Sequence, residues 1–219
     1  MTFGYRRYTN TAGMEVAAKR LTRQDRRERT RADLLAAARA VFLRHGFHAA
    51  SLDQIAEAAG YTKGAVYSNF ASKDDLFVAV LDGHFSDRVH AYESLLADVE
   101  SIEDMYRAVA RFWHDANERE PEWSRLVVEF LAYASRDASL RRAIRDVREH
   151  TLDRIAAIVD PLAERFGVEY TIPTREIVRG GGALNRGLAV EQLLDPELPV
   201  EVFEEMHLAY MRGLTVKRR

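Results

Sequence analysis

Residues 62–69, Thr62-Lys63-Gly64-Ala65-Val66-Tyr67-Ser68-Asn69, gather an ammonium, a phenol, hydroxyls and an amide among very small side chains. In a helix capped by Thr62, Val66 and Phe70 point inward and Lys63, Gly64, Ala65, Tyr67, Ser68 and Asn69 remain outside. An ordinary surface helix carries long acidic and basic pairs there. This one offers a small, polar face suited to close approach. Gly64 supports that reading, because glycine inside a helix costs roughly 1 kcal/mol relative to alanine and needs a compensating reason such as contact with a major groove. The chemistry matches DNA: Lys63 and Lys73 can donate to phosphates, Tyr67 and Asn69 offer a hydroxyl and an amide, and the Ala65 methyl can sit against a thymine methyl. Ser51, Thr62 and Ser72 each open a helix whose free N–H groups can receive a phosphate. The plainer alternative is that these hydroxyls only cap helices and Tyr67 only packs. For the caps both readings hold at once.

Other chemistry-bearing patterns are weaker. Gly180-Gly181-Gly182 with Gly187 lacks the lysine and Ser/Thr of a phosphate loop, and Asn185 stands where a dinucleotide fingerprint needs glycine. Gly180, Ala183 and Gly187, with Ile177, Leu184 and Leu188 around them, instead give a small-residue helix face for close packing, with a kink or a pocket floor as the alternative. Glu204-x-x-His207 has the spacing of one di-iron helix, but no second copy exists, so His207 reads as a surface histidine. No metal, cofactor or catalytic group is expected. Phe112, Trp113, Trp123, Phe130 and Tyr133, with His114 and Asn117 as polar neighbours, can line an apolar effector pocket or simply form core.

The elements that must position these residues read as helices throughout, an all-α fold of about nine helices without credible strand pairs. Leu34, Leu35, Ala38, Val41 and Phe42 form the stripe of a first helix ended by Gly46. Ser51-Leu52-Asp53-Gln54 is a capping box opening a second, which Gly60 ends near Ala59. Leu52, Ile55, Ala59, Val66 and Phe70 supply the small core between the second and third helices, with Ala56 at their crossing. From Ser72 a long fourth helix carries Leu76, Phe77, Val80, Leu81, Phe85, Val89 and Tyr92 out of the first domain. Five more follow: the fifth stops near Pro121, the seventh ends at Gly167, the eighth lies between Pro173 and Pro196, and the ninth spans about 199–214. The expected domains are a basic flexible arm over 1–27, a helix-turn-helix domain over 28–75 and a helical body over 76–219. Met14 offers a second possible start within the arm.

The net charge of −2 conceals a division. Residues 1–75 carry 13 Lys and Arg against 8 Asp and Glu, while residues 76–219 carry 19 against 26. A basic module suited to a polyanion thus precedes an acidic body, although ordinary surface variation gives the same division. With no cysteine, disulfides, Cys-based zinc sites and thiol catalysis are excluded, and a reducing, cytoplasmic setting is the expectation. No apolar run approaches the roughly 18 residues of a membrane helix.

The run Thr30-Arg31-x-x-Leu34-Leu35-x-Ala37-Ala38-x-x-x-Phe42-x-x-x-Gly46-Phe47, followed by Ser51-Leu52-x-x-Ile55-Ala56-x-x-Ala59-Gly60-Tyr61-Thr62-Lys63-Gly64-Ala65-Val66-Tyr67-Ser68-Asn69-Phe70-x-x-Lys73-x-x-Leu76-Phe77, closely resembles the DNA-binding domain of TetR-family regulators over about 28–80. The resemblance implies DNA contacts from Thr30, Ser51, Thr62, Lys63, Ala65, Tyr67, Asn69 and Lys73. Asn69 departs from the pattern, since many members carry His or Tyr there. It also implies a ligand-binding body that dimerises through its last two helices, which puts Gly180, Ala183, Leu184, Gly187, Met206 and Tyr210 at a candidate interface. The expected function is a homodimeric repressor on a palindromic operator of double-stranded DNA, released by a small-molecule effector. A helical carrier or enzyme with a vestigial DNA motif is the alternative, and a constitutive architectural binder a second.

Overall fold

The computed structural model describes residues 22–217; of the expected arm, residues 1–21, with Met14 and the basic residues Arg6, Arg7, Lys19 and Arg20, lie outside the described residues. The described chain runs α1 (Arg23–Ala49), α2 (Leu52–Ala59), α3 (Lys63–Asn69), α4 (Lys73–Leu96), α5 (Ile102–Arg119), α6 (Pro121–Ala134), α7 (Ala138–Arg165), β1 (Val168–Tyr170), α8 (Thr174–Leu194), α9 (Val200–Leu214) and β2 (Thr215–Lys217). The nine expected helices are all present among the described residues. Two expectations need correction. Residues 23–27 are not arm but the start of α1, because Thr22 and Asp25 form a capping box that begins the helix well before its apolar stripe. A strand pair also exists: β1 and β2 run antiparallel, with Val168 opposite Lys217 and Tyr170 opposite Thr215. At three residues each they are too short for alternation to reveal, and they form because the chain after α7 passes beside the end of α9.

Glycine sets the two breaks that shape the N-terminal module. Gly46 has φ +75°, so α1 interrupts there before its last turn. That break is braced from both sides. The Glu129 carboxylate on α6 accepts from the N–H groups of Phe47 and His48 at 3.3 and 3.0 Å, and the Lys73 ammonium donates to the carbonyls of Phe47, His48 and Ala50 at 2.9–3.2 Å. Gly60, at φ +72°, ends α2 in the left-handed conformation.

Two apolar clusters hold the molecule together. The first joins Leu34, Phe42, Phe47, Ile55, Val66, Phe70 and Phe77 of α1–α4 to Trp123, Leu126, Phe130 and Ile144 of α6 and α7. Phe77 and Phe130 sit ring to ring at 4.0 Å, with Phe47 edge-on to both. The core of the N-terminal module therefore continues into the body, and residue 75 falls within α4. The second cluster, including Tyr92, Leu96, Met105, Tyr106, Ile177, Leu208 and Met211, lies among α4, α5, α8 and α9.

Candidate nucleic-acid interface and internal cavity

The second and third helices form a compact pair. Ile55, Ala56, Val66 and Phe70 are buried and Leu52 and Ala59 partly so. Ser51, Thr62 and Ser72 accept from the backbone N–H of Gln54, Ala65 and Asp75 at 3.0–3.3 Å, so each is a cap. Outside the pair, Thr62, Lys63, Gly64, Tyr67 and Ser68 are exposed, and Tyr67 keeps 53% of its surface open despite being a large aromatic. Ala65 and Thr30 are partly covered. The Lys63 ammonium reaches Asp53 of α2 at 2.8 Å, which raises its pKa by hydrogen bond and charge. Both partners are exposed, so a phosphate can replace the carboxylate.

Two of the residues assigned to DNA turn inward. Lys73 has three carbonyl acceptors at the end of α1 and lies 4.6 Å from the Phe47 ring, which makes it a brace for the module rather than a free phosphate donor. Asn69 donates its amide nitrogen to the Ala65 carbonyl at 2.8 Å, on its own helix. Sequence reasoning missed a third feature. Arg23, Arg27 and Arg31, spaced by four along α1, line a shallow groove with Ser68 and Asn69 at the end of α3. Arg31 fixes that end, donating to the Asn69 carbonyl at 2.9 Å while lying 4.2 Å from the Phe70 ring. The signal was available in the i, i+4, i+8 spacing.

A cavity of about 130 Å³ lies in the body among α4, α5, α7, α8 and α9. Its wall is largely apolar, from residues such as Phe85, Leu96, Met105, Val109, Ile155 and Met211. Of the residues assigned to an effector pocket, Trp113 alone lines it. Phe112 precedes Trp113 on α5 and turns aside to pack on Tyr92 and Arg88. Asn117 lies farther along α5, accepting from Ser124. Phe130 is fully buried in the first core, and Tyr133 reaches Asp74 at 3.3 Å beside His48. One helix cannot aim consecutive or oppositely placed aromatics into one space, and α6 faces the N-terminal module instead.

His207 is the other correction. It is 4% exposed and lines the cavity, and burial pushes its pKa down to about 4, so it is neutral at pH 7. Its would-be metal partner Glu204 is bound by Arg107 and Arg111 of α5. Between cavity and N-terminal module runs a line of contacts. Arg88, on the cavity wall, donates to His84 Nε2 at 3.3 Å. Burial, followed by Arg88 and Arg39, lowers His84 to about 3, which keeps it a neutral acceptor. The His84 ring stacks on Trp123 at 3.9 Å, and Arg39 of α1 lies 5.7 Å from that indole while holding Glu120 at 2.9 Å.

The small-residue face of α8 is divided. Gly180 is covered within the chain, since Tyr210 of α9 donates to the Ile177 carbonyl at 3.0 Å and its hydroxyl occupies the space a Cβ at 180 would need. Gly180 and Tyr210 thus serve packing between α8 and α9 of one chain. Ala183, Gly187 and Met206 are exposed, Met206 by 49%, and Leu184 is half-buried.

Residues 34–80 match the model of bacterial regulatory proteins of the tetR family, and residues 102–216 match that of the C-terminal region of BetI-type transcriptional repressors. The HTH-type transcriptional activator FasR of Mycolicibacterium smegmatis is 35% identical over 118 residues, 54% of this chain and 52% of that protein, so the match spans about half the length of that relative. Among solved structures, the fatty acid degradation regulator FadR from Bacillus halodurans superposes with a TM-score of 0.66 at 17% identity, covering 84% of this chain and 96% of that one. FadR from Bacillus subtilis, solved in complex with stearoyl-CoA, gives 0.61 at 13%, covering 83% and 95%. At those identities the likeness concerns the fold. No helix among the described residues is long and apolar enough to cross a membrane. Taken with the helix-turn-helix geometry, the two family models show that the chain belongs to the TetR family of bacterial transcriptional regulators.

Proposed function

We propose that this protein is a homodimeric repressor that holds a palindromic operator through two copies of α3 and releases it when a small molecule fills the body cavity. The observation that carries the reading is that α4 joins the two sites: it begins at the brace made by Lys73 and its far half walls the cavity. Two recognition helices on one face of B-DNA must stand about 34–36 Å apart, one helical turn. A ligand that prefers a different tilt of α4 favours a spacing that no longer fits, and a coupling typical of allosteric proteins weakens binding about 5- to 150-fold. The Arg88–His84–Trp123–Arg39 contacts support a physical link between the sites. The stearoyl-CoA in the Bacillus subtilis FadR structure supports a small-molecule effector for this fold. FasR is named an activator and the matching C-terminal model a repressor, so the sign of the response rests on the latter.

The exposed strip of Ala183, Gly187 and Met206 on α8 and α9 is the proposed subunit contact. Gly187 provides a clean test, because nothing lies within 4 Å of a Cβ added there. Light scattering should give a dimer for the full chain and a monomer for Gly187→Arg, which should also lose binding to the protein's own upstream DNA in a mobility shift. A Gly187→Arg protein that stays dimeric, or a monomer that binds with full affinity, contradicts the assembly. In a reporter assay, removing the protein should raise transcription from that upstream promoter; a fall would make it an activator.

A further inference from the structure

We infer that the effector is an amphipathic anion, an apolar chain ending in a carboxylate or phosphate that is held by Arg148 and Arg186. This rests on the reading of the body cavity as the effector site. The charged groups lining the cavity are Arg88, Arg148 and Arg186, and among the described residues no Asp or Glu joins them. Nearby carboxylates do not balance them. Glu149, next to Arg148 in sequence, is already bound by Arg175 and by Arg179 at 3.0 Å. Neither Arg148 nor Arg186 forms an ion pair with any described residue.

The two guanidinium groups are close enough to repel. Arg186 stands at the mouth of the cavity with solvent access, its Nη1 3.4 Å from where a Cβ on Gly182 would lie, so it folds back along α8. Desolvation by the wall, with a smaller push from Arg148, lowers its pKa to about 10. An arginine so placed is charged at pH 7 but short of a counter-charge. Asn185 and His207, buried polar residues lining the same cavity, also each keep an atom without a partner, Oδ1 and Nδ1. An unpartnered buried polar group is unfavourable. His207 Nδ1 can donate to an anionic head in the Nδ1–H tautomer of its neutral ring, whereas Asn185 Oδ1 accepts and is satisfied only by a donor such as the hydroxyl of a phosphate monoanion. A cation would meet like charges with no carboxylate to offset them; an uncharged chain would fill the apolar wall but leave both arginines unanswered. The planar fork of Arg pairs well with either a carboxylate or a phosphate, so both heads remain within the proposal.

Calorimetric titration of the full-length protein with four probes of equal chain length tests this: decanoate, decyl phosphate, 1-decanol and decyltrimethylammonium. At least one anion should bind at least about tenfold more tightly than the alcohol, since a charge-assisted hydrogen bond contributes that much, and the ammonium should bind most weakly. Whether decanoate or decyl phosphate binds better identifies the head. Arg148→Gln and Arg186→Gln should each weaken the anion by about tenfold or more while leaving the alcohol unchanged. Equal affinity for alcohol and anions, or preference for the ammonium, overturns the inference. So does an Arg186→Gln protein that becomes monomeric while keeping its anion affinity, which would assign that arginine to the subunit contact. Anions that bind without loosening DNA would contradict effector control and leave the anion site standing.

Discussion

The Lys73 ammonium donates to three carbonyls around the break in α1, so Lys73→Ala leaves them without that donor and should destabilise the fold by about 1–3 kcal/mol in a denaturant melt. Lys63→Ala should behave in the opposite way: its midpoint should stay within error, while DNA affinity falls and the slope of log affinity against log salt shrinks by about 1. Both lysines are legible as cations near a recognition helix. Their directions are not, because the carbonyls that capture Lys73 lie 23–26 residues earlier in the chain. The position of His207 is hidden for a similar reason: its neighbours on α9 suggest a surface, and α8 covers it. His84 and His207 also set the acid response. Their folded pKa values of about 3 and about 4 lie below the usual 6.5, so between 6.5 and those values the unfolded chain takes up protons that the folded chain refuses. Stability should therefore hold above pH 6.5 and fall as the pH drops below it, by up to about 1.4 kcal/mol per pH unit for each histidine. His84→Gln with His207→Gln should flatten that fall in melts between pH 7 and 5, and an unchanged slope would contradict it.

At the scale of elements, the caps and breaks are where local sequence suffices. Ser51 with Gln54, Thr62, Ser72 and Gly60 act as their types require, because a cap is satisfied within a few residues. Gly46 adds a tertiary constraint. An alanine there takes a left-handed φ, and its Cβ meets the Glu129 carboxylate at 2.9 Å, so Gly46→Ala should lower stability by about 1–2 kcal/mol from the backbone alone. The start of α1 was hidden for the reason that periodicity reports only buried faces: residues 23–29 are exposed all round. That extension brings Arg23 and Arg27 beside the end of α3. Arg27→Ala should weaken DNA binding at every sequence and reduce the salt slope by about 1 without altering the operator preferred, measured by anisotropy on matched and scrambled duplexes.

For the whole molecule, the first core ties α1–α4 to α6 and α7, and the cavity lies within the second core, whose Tyr92, Leu96, Met105, Ile177 and Met211 line it. The sequence divides in charge near residue 75, whereas packing crosses that point, as the proposed coupling between cavity and DNA module would require. The cavity itself was only partly legible: aromatic residues mark α5 and α6, but which of them share a space depends on how five helices meet, and Trp113 alone lines it. That the exposed face of α3 reads DNA is open to fluorescence anisotropy with a duplex from the protein's own upstream region. The full chain should bind tightly, with an affinity that weakens steeply with salt, and Tyr67→Ala and Lys63→Ala should each lose at least about tenfold at unchanged thermal stability. Full affinity in both variants, or binding to that duplex indifferent to salt, would contradict it.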